Sequence, residues 1–310
     1  MTAKYPVHVV ADQSDPLPAA LMQVLNEAWV IHVNPTDFTS VTLADARIVL
    51  GTPHHIAQVL PHCPNLMWAQ STWAGVNSLL AMGRRDYVLT ALKGVFGHLM
   101  AEYSMAWLLA FARGVLKRSQ QCHWSPQPDE GLAGKSLGIM GTGSIGAAIA
   151  VTAKHFGMQV RGLNTDGRRI VPFDSCYPVA NRWAFADGLD AIISVLPATP
   201  QTDRLIDESL LSLLTPGAVL INVGRGNVID DTALLGALDD GSLQAAVLDV
   251  FEQEPLPEQH PYWTRDDVIV TSHTAAPTPP DAAVSVFMEN YWRFSRGEPL
   301  HHRVDFDRGY

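Results

Sequence analysis

Short apolar runs alternate with longer amphipathic stretches along the first ninety residues of the chain. The strand-like runs are VHVVA, WVIHVN, ARIVLG, LMWAQS and DYVLTAL, and the helix-like stretches are PLPAALMQVLNEA and HHIAQVLPHC. Strands that alternate with helical segments are typical of parallel sheets. The pattern therefore predicts an α/β domain in this part of the chain.

A second alternating series begins at Ser136. It contains an apolar run that ends at Met140, followed by MQVRGL, AIISVLP, AVLINVG, QAAVLDV and VIVTS, with helical segments between most of them. Between the two series, apolar residues recur at helical spacing from Leu99 to Leu116, which predicts one long helix between two domains. A further helix is predicted from Asp281 to Arg296, and we expect it to return to the first domain.

Three glycines follow the run that ends at Met140. Gly141, Gly143 and Gly146 have G-x-G-x-x-G spacing and lie between a predicted strand and an Ala-rich helical stretch. In such a turn the first glycine allows a tight reversal, the second lets a pyrophosphate approach the backbone, and the third lets the helix pack close to the strand. Glycines also mark ordinary tight turns, but the strand and the helix on either side favour a dinucleotide site, with the helix N-terminal amides facing the phosphates.

The two series together predict an α/β fold with two doubly wound, Rossmann-like parallel-sheet domains and a cleft between them. We place the dinucleotide-binding Rossmann domain at residues 97–276 and a second, substrate-binding domain at residues 1–96 and 277–310. The nucleotide domain is then an insertion in the other domain. A cleft between domains is a common place for a ligand.

Composition and charge narrow the function classes. Hydrophobic residues make up 47% and charged residues 17% of the 310 positions, which is a globular balance. The formal net charge of -10 provides no basic surface for nucleic acid. No apolar run reaches the length of a membrane span, and the first residues lack the pattern of a secretory signal. A cytoplasmic protein is therefore the default expectation.

Cysteine and histidine spacing indicates neither disulfides nor a metal centre. The cysteines are far apart and form no C-x-x-C pair, so we expect reduced thiols; they are Cys63, Cys122 and Cys176. No H-E-x-x-H or Cys-His pattern accompanies the candidate metal ligands, which are His54, His55, His98, His301 and His302. We expect no catalytic metal.

Three polar stretches follow predicted strands of the second domain. They are INVGRGNVID, LDVFEQEPLP and VIVTSHTAAPT, and they contain Arg225, Glu254 and His273. Because ligands of doubly wound sheets bind outside the carboxyl ends of the strands, we expect these side chains to converge. Taken singly, each has an ordinary interpretation: a solvated loop charge, a turn residue before proline, and a structural histidine. Their occurrence in this order favours a functional set.

The ordered motifs resemble those of the D-isomer-specific 2-hydroxyacid dehydrogenases. The matching pieces are GTGSIG, LPATPQT, NVGRG, DVFEQEPLP with HPYW soon after, and TSHTAAPT, and the earlier QSTWAGVNSL resembles the substrate loop of the family. The match extends from residue 66 to residue 310, and the combination is far more specific than any single motif. The glyoxylate/hydroxypyruvate reductase branch is the nearest likeness.

The resemblance implies a hydride transfer from NAD(P)H to the carbonyl of a small 2-oxo acid, which gives a D-2-hydroxy acid. Arg225 would hold the substrate carboxylate and polarise the carbonyl, since its planar fork suits both tasks. His273 would be the general acid, because imidazole ordinarily titrates near neutral pH. Glu254 would favour the imidazolium and orient its ring.

The same resemblance implies contacts to the cofactor and the substrate. The expected cofactor residues are Gly141, Gly143, Ser144, Ile145, Gly146, Asn164, Arg168, Pro197, Thr202, Val223 and Asp249. Asp249 resembles the partner of the nicotinamide carboxamide, although an aspartate at a strand end equally caps a loop. The expected substrate contacts, besides Arg225, are the backbone amides of Ala74, Gly75 and Val76, in a stretch that is also a plausible helix start.

The choice between NAD and NADP is predicted from the segment after the second strand of the nucleotide domain. An acidic residue there accepts hydrogen bonds from the ribose 2′-hydroxyl, whereas a nearby arginine favours a 2′-phosphate. Asn164 is neutral and Arg168 and Arg169 follow it, which favours NADP(H) slightly over NAD(H). Asp166 leaves the alternative open, because a shift of two residues would make it the ribose acceptor.

Two other functions remain open at this point. The family also contains corepressors that sense a nicotinamide cofactor and act as binding or scaffold proteins, and a dehydrogenase for a bulkier 2-oxo acid would share the same motifs. A formate dehydrogenase is disfavoured because such enzymes carry Gln where Glu254 stands. The expected partners are a small-molecule acid and a second copy of the chain, in a homodimer to which the helix from Leu99 contributes.

Overall fold

The computed structural model describes residues 5–38, 43–126 and 130–309. The chain divides into two compact units, Met1–Val95 with Thr278–Tyr310, and Phe96–Pro277. Each unit contains one sheet in which all neighbouring strands are parallel. The predicted fold class, two α/β domains with Rossmann-like parallel sheets, is confirmed.

The first unit has a five-stranded sheet with strand order β2-β1-β3-β4-β5. The strands are β1 Val7–Val10, β2 Val30–Val33, β3 Ile48–Gly51, β4 Trp68–Ser71 and β5 Val88–Thr90. The helices described before the second unit are α1 Leu17–Met22, α2 Pro53–Val59 and α3 Asn77–Ala81, and the described 3-10 turns are Glu27–Trp29 and Leu60–His62. β1, β3 and β4 are buried along their whole length. β3 is continuously apolar, whereas β1 and β4 also bury the polar residues His8, Gln70 and Ser71.

The second unit has a seven-stranded sheet with strand order β12-β11-β10-β9-β6-β7-β8. The strands are β6 Ser136–Met140, β7 Gln159–Asn164, β8 Ser175–Pro178, β9 Ala191–Ser194, β10 Ala218–Asn222, β11 Leu243–Leu248 and β12 Val268–Val270. The order reverses between β6 and β9, which is where doubly wound folds bind nucleotides. β8 is absent from the sequence-based prediction, because this edge strand is only half-buried and ends in proline.

Six α-helices are described in the second unit. They are α4 Gly97–Ala112, α5 Val115–Ser119, α6 Ser144–His155, α7 Arg182–Ala186, α8 Glu208–Leu211 and α9 Asp231–Asp239, with 3-10 turns at Val179–Asn181, Gly226–Val228 and Pro261–Thr264. The buried faces of α4 and α6 meet in one core cluster with the sheet. The contact is close, since a Cβ added at Gly97 would lie 2.9 Å from the Cβ of Ala148.

The single long helix predicted from Leu99 to Leu116 is wrong. The structure has two helices, because Gly114 adopts the left-handed conformation with φ of 57° and separates α4 from α5. A residue in this conformation ends an α-helix, and glycine adopts it without steric cost. The apolar periodicity continues across the break, and for this reason it did not reveal the break.

The last helix, α10 Pro280–Arg296, belongs to the first unit. It begins at proline, a residue that suits the first turn, and Gly297 ends it in the left-handed conformation. The ring of Phe287 stacks on Trp68 of β4 with centroids 5.0 Å apart. This helix closes the core of the first unit with chain that follows the second unit. Within the described ranges, α10 and the other helices lack a long apolar segment of the kind that crosses a membrane.

Candidate active site

The glycine turn between β6 and α6 has the shape of a phosphate-binding loop. Gly141 has φ of 103°, and a Cβ at Gly146 would lie 2.0 Å from the carbonyl oxygen of Gly141, so a side chain at Gly146 would push the helix away from the strand. At Gly143, the residue before the helix, an added Cβ would meet no atom within 4 Å, and no side chain caps the first turn of Ser144 and Ile145. The open space and the uncapped amides fit a dinucleotide pyrophosphate.

Arg225 lies in a turn that a buried asparagine shapes. Asn222, the last residue of β10, is fully buried; its Nδ2 donates to the carbonyl oxygen of Arg225 at 2.9 Å, and its Oδ1 accepts from the amide of Gly224 at 3.1 Å. Val223 between them is buried in the core. A Cβ at Gly226 would lie 1.9 Å from the carbonyl carbon of Phe251, so only glycine lets this turn reach the segment that carries Glu254.

Glu254 and His273 form a hydrogen-bonded pair. Oε2 of Glu254 lies 2.9 Å from Nδ1 of His273, while Oε1 accepts from the amide of Phe251 at 2.9 Å. The side chains are 38% and 33% exposed, so the pair is open to a ligand without being fully solvated. The contact at Nδ1 orients the imidazole ring of His273 relative to the carboxylate of Glu254.

The electrostatics tie Arg225 to this pair. Burial alone would raise the pKa of Glu254, but the hydrogen bonds from His273 and Phe251 and the charges of His273 and Arg225 outweigh it, and the pKa is lowered. Burial lowers the pKa of Arg225, and the charge of Glu254 opposes that shift. The structure therefore brings the three predicted side chains together within the second unit, although which of them act in catalysis stays a prediction.

Asp249 holds the His273 segment. The aspartate is 1% exposed; its Oδ1 accepts from the amide of Thr274 at 2.8 Å, and its Oδ2 accepts from the amide of Ala275 at 3.0 Å. The main-chain oxygen of Asp249 accepts from the amide of His273 at 2.8 Å. The structure thus shows the loop-capping alternative directly, while the contact to the nicotinamide carboxamide stays a prediction.

The predicted cofactor residues after β9 form a compact turn. Oγ1 of Thr202 donates to the carbonyl oxygen of Pro197 at 2.7 Å and accepts from the amide of Thr199 at 2.9 Å. Thr202 is buried, so its hydroxyl shapes the loop from within. The hydroxyl therefore fixes the backbone around Pro197, while contact of Pro197 and Thr202 with the cofactor stays a prediction.

The segment after β7 is organised by Asn164. Its Oδ1 accepts from the amide of Gly167 at 2.6 Å, and its Nδ2 donates to the carbonyl oxygen of Arg168 at 2.9 Å. The Arg168 side chain is 73% exposed and lies 3.9 Å from Asp166, measured from Nη1 to Oδ2. Arg169 is exposed as well. Asp166, which would favour NAD, and Arg168, which would favour NADP, are therefore neighbours in one exposed turn.

The predicted substrate loop lies in the first unit, between β4 and α3. The helix starts at Asn77, so Ala74, Gly75 and Val76 form the loop that precedes it. Among contacts between described residues, the amides of these three residues donate to no acceptor. Consecutive unpaired amides of this kind suit an anion.

Two aromatic residues, Trp73 after β4 and Phe96 before α4, differ in exposure. Trp73 is 39% exposed, whereas Phe96 is 6% exposed and belongs to the core. Of the two, only Trp73 has a side chain open to solvent.

The candidate metal ligands form no cluster. His98 contacts Glu102 at 3.0 Å and His301 contacts Glu289 at 3.2 Å, both at the surface. The part of the chain that is described contains no group of three His, Cys, Asp or Glu side chains arranged for a metal ion. The expectation of a reaction without a metal stays a prediction.

Sequence reasoning missed Asn222, which shapes the Arg225 turn. A signal was present, since an asparagine follows four apolar residues at the end of a predicted buried strand. A buried amide side chain needs hydrogen-bond partners. At the end of a strand, the nearest backbone groups that the sheet does not pair are those of the following turn. That reasoning would have assigned the residue to the turn.

Comparison with known proteins agrees with this geometry. The model of the D-isomer specific 2-hydroxyacid dehydrogenase NAD binding domain matches residues 105–275. A glyoxylate/hydroxypyruvate reductase A from Serratia proteamaculans (strain 568) is 33% identical over 304 residues, which cover 94% of this chain and 95% of that protein.

Solved structures give the same result. A D-isomer specific 2-hydroxyacid dehydrogenase family protein from Aeromonas salmonicida subsp. salmonicida A449 has a TM-score of 0.91 and 40% identity, and the match covers 98% of this chain and all of that one. An NADPH-dependent glyoxylate/hydroxypyruvate reductase from Sinorhizobium meliloti, in complex with NADP and sulfate, has a TM-score of 0.88 and 28% identity, with 99% and 100% covered. The predicted enzyme class, an oxidoreductase that uses a nicotinamide cofactor, is confirmed. The chain belongs to the D-isomer specific 2-hydroxyacid dehydrogenase family, in its glyoxylate/hydroxypyruvate reductase branch.

Proposed function

We propose that this protein reduces small 2-oxo acids, with glyoxylate and hydroxypyruvate as the first candidates, and that it forms the D-hydroxy acid where a stereocentre arises. The observation that carries the proposal is the pairing of His273 Nδ1 with Glu254 Oε2 at 2.9 Å, under the charge of Arg225. The pair and the glycine turn both lie beyond the carboxyl ends of strands in the same parallel sheet. A proton donor, a guanidinium and a nucleotide loop are the groups that carbonyl reduction of an oxo acid requires.

Three side chains divide the work on the substrate. Arg225 binds the carboxylate of the 2-oxo acid and polarises its carbonyl through its planar donors. His273, oriented by Glu254, donates the proton on Nε2 to the carbonyl oxygen as negative charge develops there. In the reverse reaction the same nitrogen accepts the hydroxyl proton. The nicotinamide cofactor, when bound, supplies the hydride to the carbonyl carbon.

The unpaired amides of Ala74, Gly75 and Val76 are the proposed second contact for the substrate carboxylate. They donate to no acceptor among the described residues, and a carboxylate is the charged group of every 2-oxo acid. Val76 is buried while Ala74 is exposed, so the loop is anchored at one end and accessible at the other. This arrangement supports a role in binding rather than in proton transfer.

We propose NADPH as the preferred cofactor. Asn164 is neutral and its side chain is engaged with the backbone of its own turn, so it supplies no acceptor charge for a ribose 2′-hydroxyl. Arg168 is exposed and able to reach a 2′-phosphate, and its contact at 3.9 Å offsets part of the charge of Asp166. The relative from Sinorhizobium meliloti binds NADP, which is consistent with this preference.

A spectrophotometric assay at about 340 nm, where reduced nicotinamide absorbs, tests both proposals. Glyoxylate, hydroxypyruvate, a branched and an aromatic 2-oxo acid are each assayed with NADPH and with NADH. We expect the highest kcat/KM for the two small acids with NADPH. A tenfold preference for NADH would overturn the assignment of Arg168. Turnover of only the larger acids would indicate a different pocket, and tight cofactor binding without turnover would indicate a scaffold protein.

The homodimer stays a prediction from the family resemblance, and the cytoplasmic location stays a prediction from the apolar pattern of the sequence. The mass in solution, measured by light scattering, tests the first, and α4 is the expected contributor to the interface. We expect twice the chain mass of 33.8 kDa.

A further inference from the structure

His273 has a backbone conformation that side-chain-bearing residues seldom adopt. Its φ is 56°, in the left-handed region, where the Cβ approaches the following carbonyl oxygen. Only Arg204 and His302 share this feature among the non-glycine residues of the described ranges. Such a conformation persists where surrounding contacts determine it. The contacts around His273 therefore decide where its imidazole points.

Those contacts converge on Asp249, at the end of β11. On the C-terminal side of His273, the carboxylate accepts from the amides of Thr274 and Ala275. On the N-terminal side, Oγ1 of Thr271 donates to Oδ1 of Asp249 at 2.5 Å. The strained residue is thus fixed from both sides by one buried carboxylate.

The donor directions extend this network to Tyr103 on α4. A carboxylate only accepts hydrogen bonds, so the single hydroxyl proton of Thr271 points to Asp249. The Tyr103 hydroxyl lies 2.7 Å from Thr271 Oγ1 and must then be the donor in that contact. Burial raises the pKa of Tyr103, so the phenol keeps its proton through the neutral range.

The helix that carries Tyr103 is part of the rigid core. Its neighbours Ala101 and Met105 are buried in the cluster that also contains Ile149 and Ala150 of α6. A hydrogen bond from this helix therefore connects the His273 segment to the packed elements behind the glycine turn. Successive hydrogen bonds in a chain that ends on a charge strengthen one another.

We infer that Tyr103 and Thr271 are positioning residues, which act through Asp249 to hold the His273 segment in its left-handed conformation. The inference rests on the proposed function, in which His273 donates the proton. Neither residue touches the reacting atoms in this account. Their contribution is the fixed placement of the imidazole between Glu254 and the substrate.

The first test is Tyr103→Phe, which removes one oxygen and leaves the ring. We expect kcat to fall about fivefold, the effect of losing the hydrogen bond to Thr271, while the KM for NADPH stays within about twofold, since no cofactor contact changes. Hydrogen exchange of the peptide that covers residues 271–277 should become faster. The matched control is Tyr177→Phe. This half-buried tyrosine lies on β8, the edge strand farthest from β12 in the same sheet, and its substitution should leave kcat and the KM for NADPH unchanged.

The second test separates the effect of the hydrogen-bond relay from Tyr103 through Thr271 to Asp249 from that of simple packing. Thr271→Val keeps the shape and removes the hydroxyl, and it should lower kcat about tenfold or more; Thr271→Ser keeps the hydroxyl and should retain most of the activity. In the double variant Tyr103→Phe with Thr271→Val, the tyrosine change should add little, because its acceptor has already gone. Melting temperatures of all variants identify any that fail to fold.

The outcomes distinguish the relay from the proposed function. Additive effects of the two substitutions, or unchanged kcat and exchange in Tyr103→Phe, would overturn the relay even if the wild-type protein reduces glyoxylate well. If the wild-type protein reduces no 2-oxo acid, the proposed function fails. The exchange of residues 271–277 in the same variants then still shows whether the hydroxyl groups hold the segment.

Discussion

In the second unit, the cofactor and the substrate are proposed to bind along the carboxyl ends of the strands. The two ends of this row of turns are built differently. At the reaction end, the turns of Arg225 and His273 are each tied down by a side chain that is no more than 1% exposed, Asn222 in one case and Asp249 in the other. At the ribose end, the turn after β7 is organised by the half-buried Asn164, and the charged side chains of Asp166 and Arg168 are 59% and 73% exposed.

The difference matches what the proposed function requires of each end. Proton transfer depends on the position of an imidazole to within a few tenths of an ångström, and only buried, fully paired groups provide that precision. Discrimination between NAD and NADP needs only a charge of the right sign within reach, which an exposed arginine supplies. Substitutions should therefore have large effects at the reaction end and small ones at the ribose end.

The largest effect is expected for His273→Ala. Loss of the proton donor should lower kcat for glyoxylate by about 10² to 10⁴, the usual contribution of general acid catalysis, while cofactor binding measured by fluorescence changes little. Turnover within tenfold of the wild-type value would show that another group donates the proton, and the comparison of the two ends would lose its basis.

Asn222→Ala should have the next largest effect. It leaves the buried amide of Gly224 without a partner, at a cost of about 1 to 3 kcal/mol in the free energy of unfolding. The carbonyl oxygen of Arg225 loses its shorter hydrogen bond and keeps only the one from the amide of Val228 at 3.4 Å. We expect the KM for glyoxylate to rise about tenfold as the guanidinium loses its placement, with a smaller change in the KM for NADPH. Asn227→Ala is the control, since that side chain donates to Asp203 instead. Equal effects of the two substitutions would contradict the role of Asn222.

Glu254→Gln tests the pairing with His273 through the pH dependence of stability. The folded-state pKa of Glu254 is lowered, so its ionised form stabilises the folded protein above the ordinary glutamate pKa, and this stabilisation is lost as the pH falls through the lowered value. The melting temperature of the wild-type protein minus that of the variant should therefore shrink between about pH 6 and pH 3, a window set by the ordinary glutamate pKa. Glu258→Gln, an exposed neighbour, controls for the loss of one charge. A difference that grows on acidification would reverse the sign and refute the pairing.

The smallest effect is expected for Arg168→Ala. Removal of an exposed cation should raise the KM for NADPH about fivefold and leave kcat and the KM for NADH unchanged, since an exposed ion pair contributes roughly 1 kcal/mol or less. NADH serves as the internal control because it lacks the 2′-phosphate. An equal change for both cofactors would show that Arg168 acts on the fold of the turn and not on the phosphate.

Much of the fold was predictable because the periodicity of buried strands is a local property. The runs that became β3, β9 and β10 are apolar up to their last residue, since both faces of these strands are covered. The edge strand Ser175–Pro178 gave no such signal, because only one neighbour and one half-buried face define it. The break at Gly114 was hidden by apolar spacing that continued on both sides.

The candidate site was predictable in its members and not in its construction. The residue types Arg225, Glu254 and His273 follow from the motifs, because their chemistry is a property of the side chains. The roles of Asn222 and Tyr103 do not, since each depends on a partner that is close in space and distant or unmarked in sequence.

The sequence by itself determined the alternation of strands and helices, the glycine turn and the kinds of chemistry present at the strand ends. Only the tertiary structure decided which nitrogen of His273 meets Glu254, which buried groups hold the turns, and how exposed Arg168 is. The physical reason is that propensity and periodicity act between neighbours along the chain. Hydrogen-bond partners and burial are instead set by elements that meet only when the sheet is assembled.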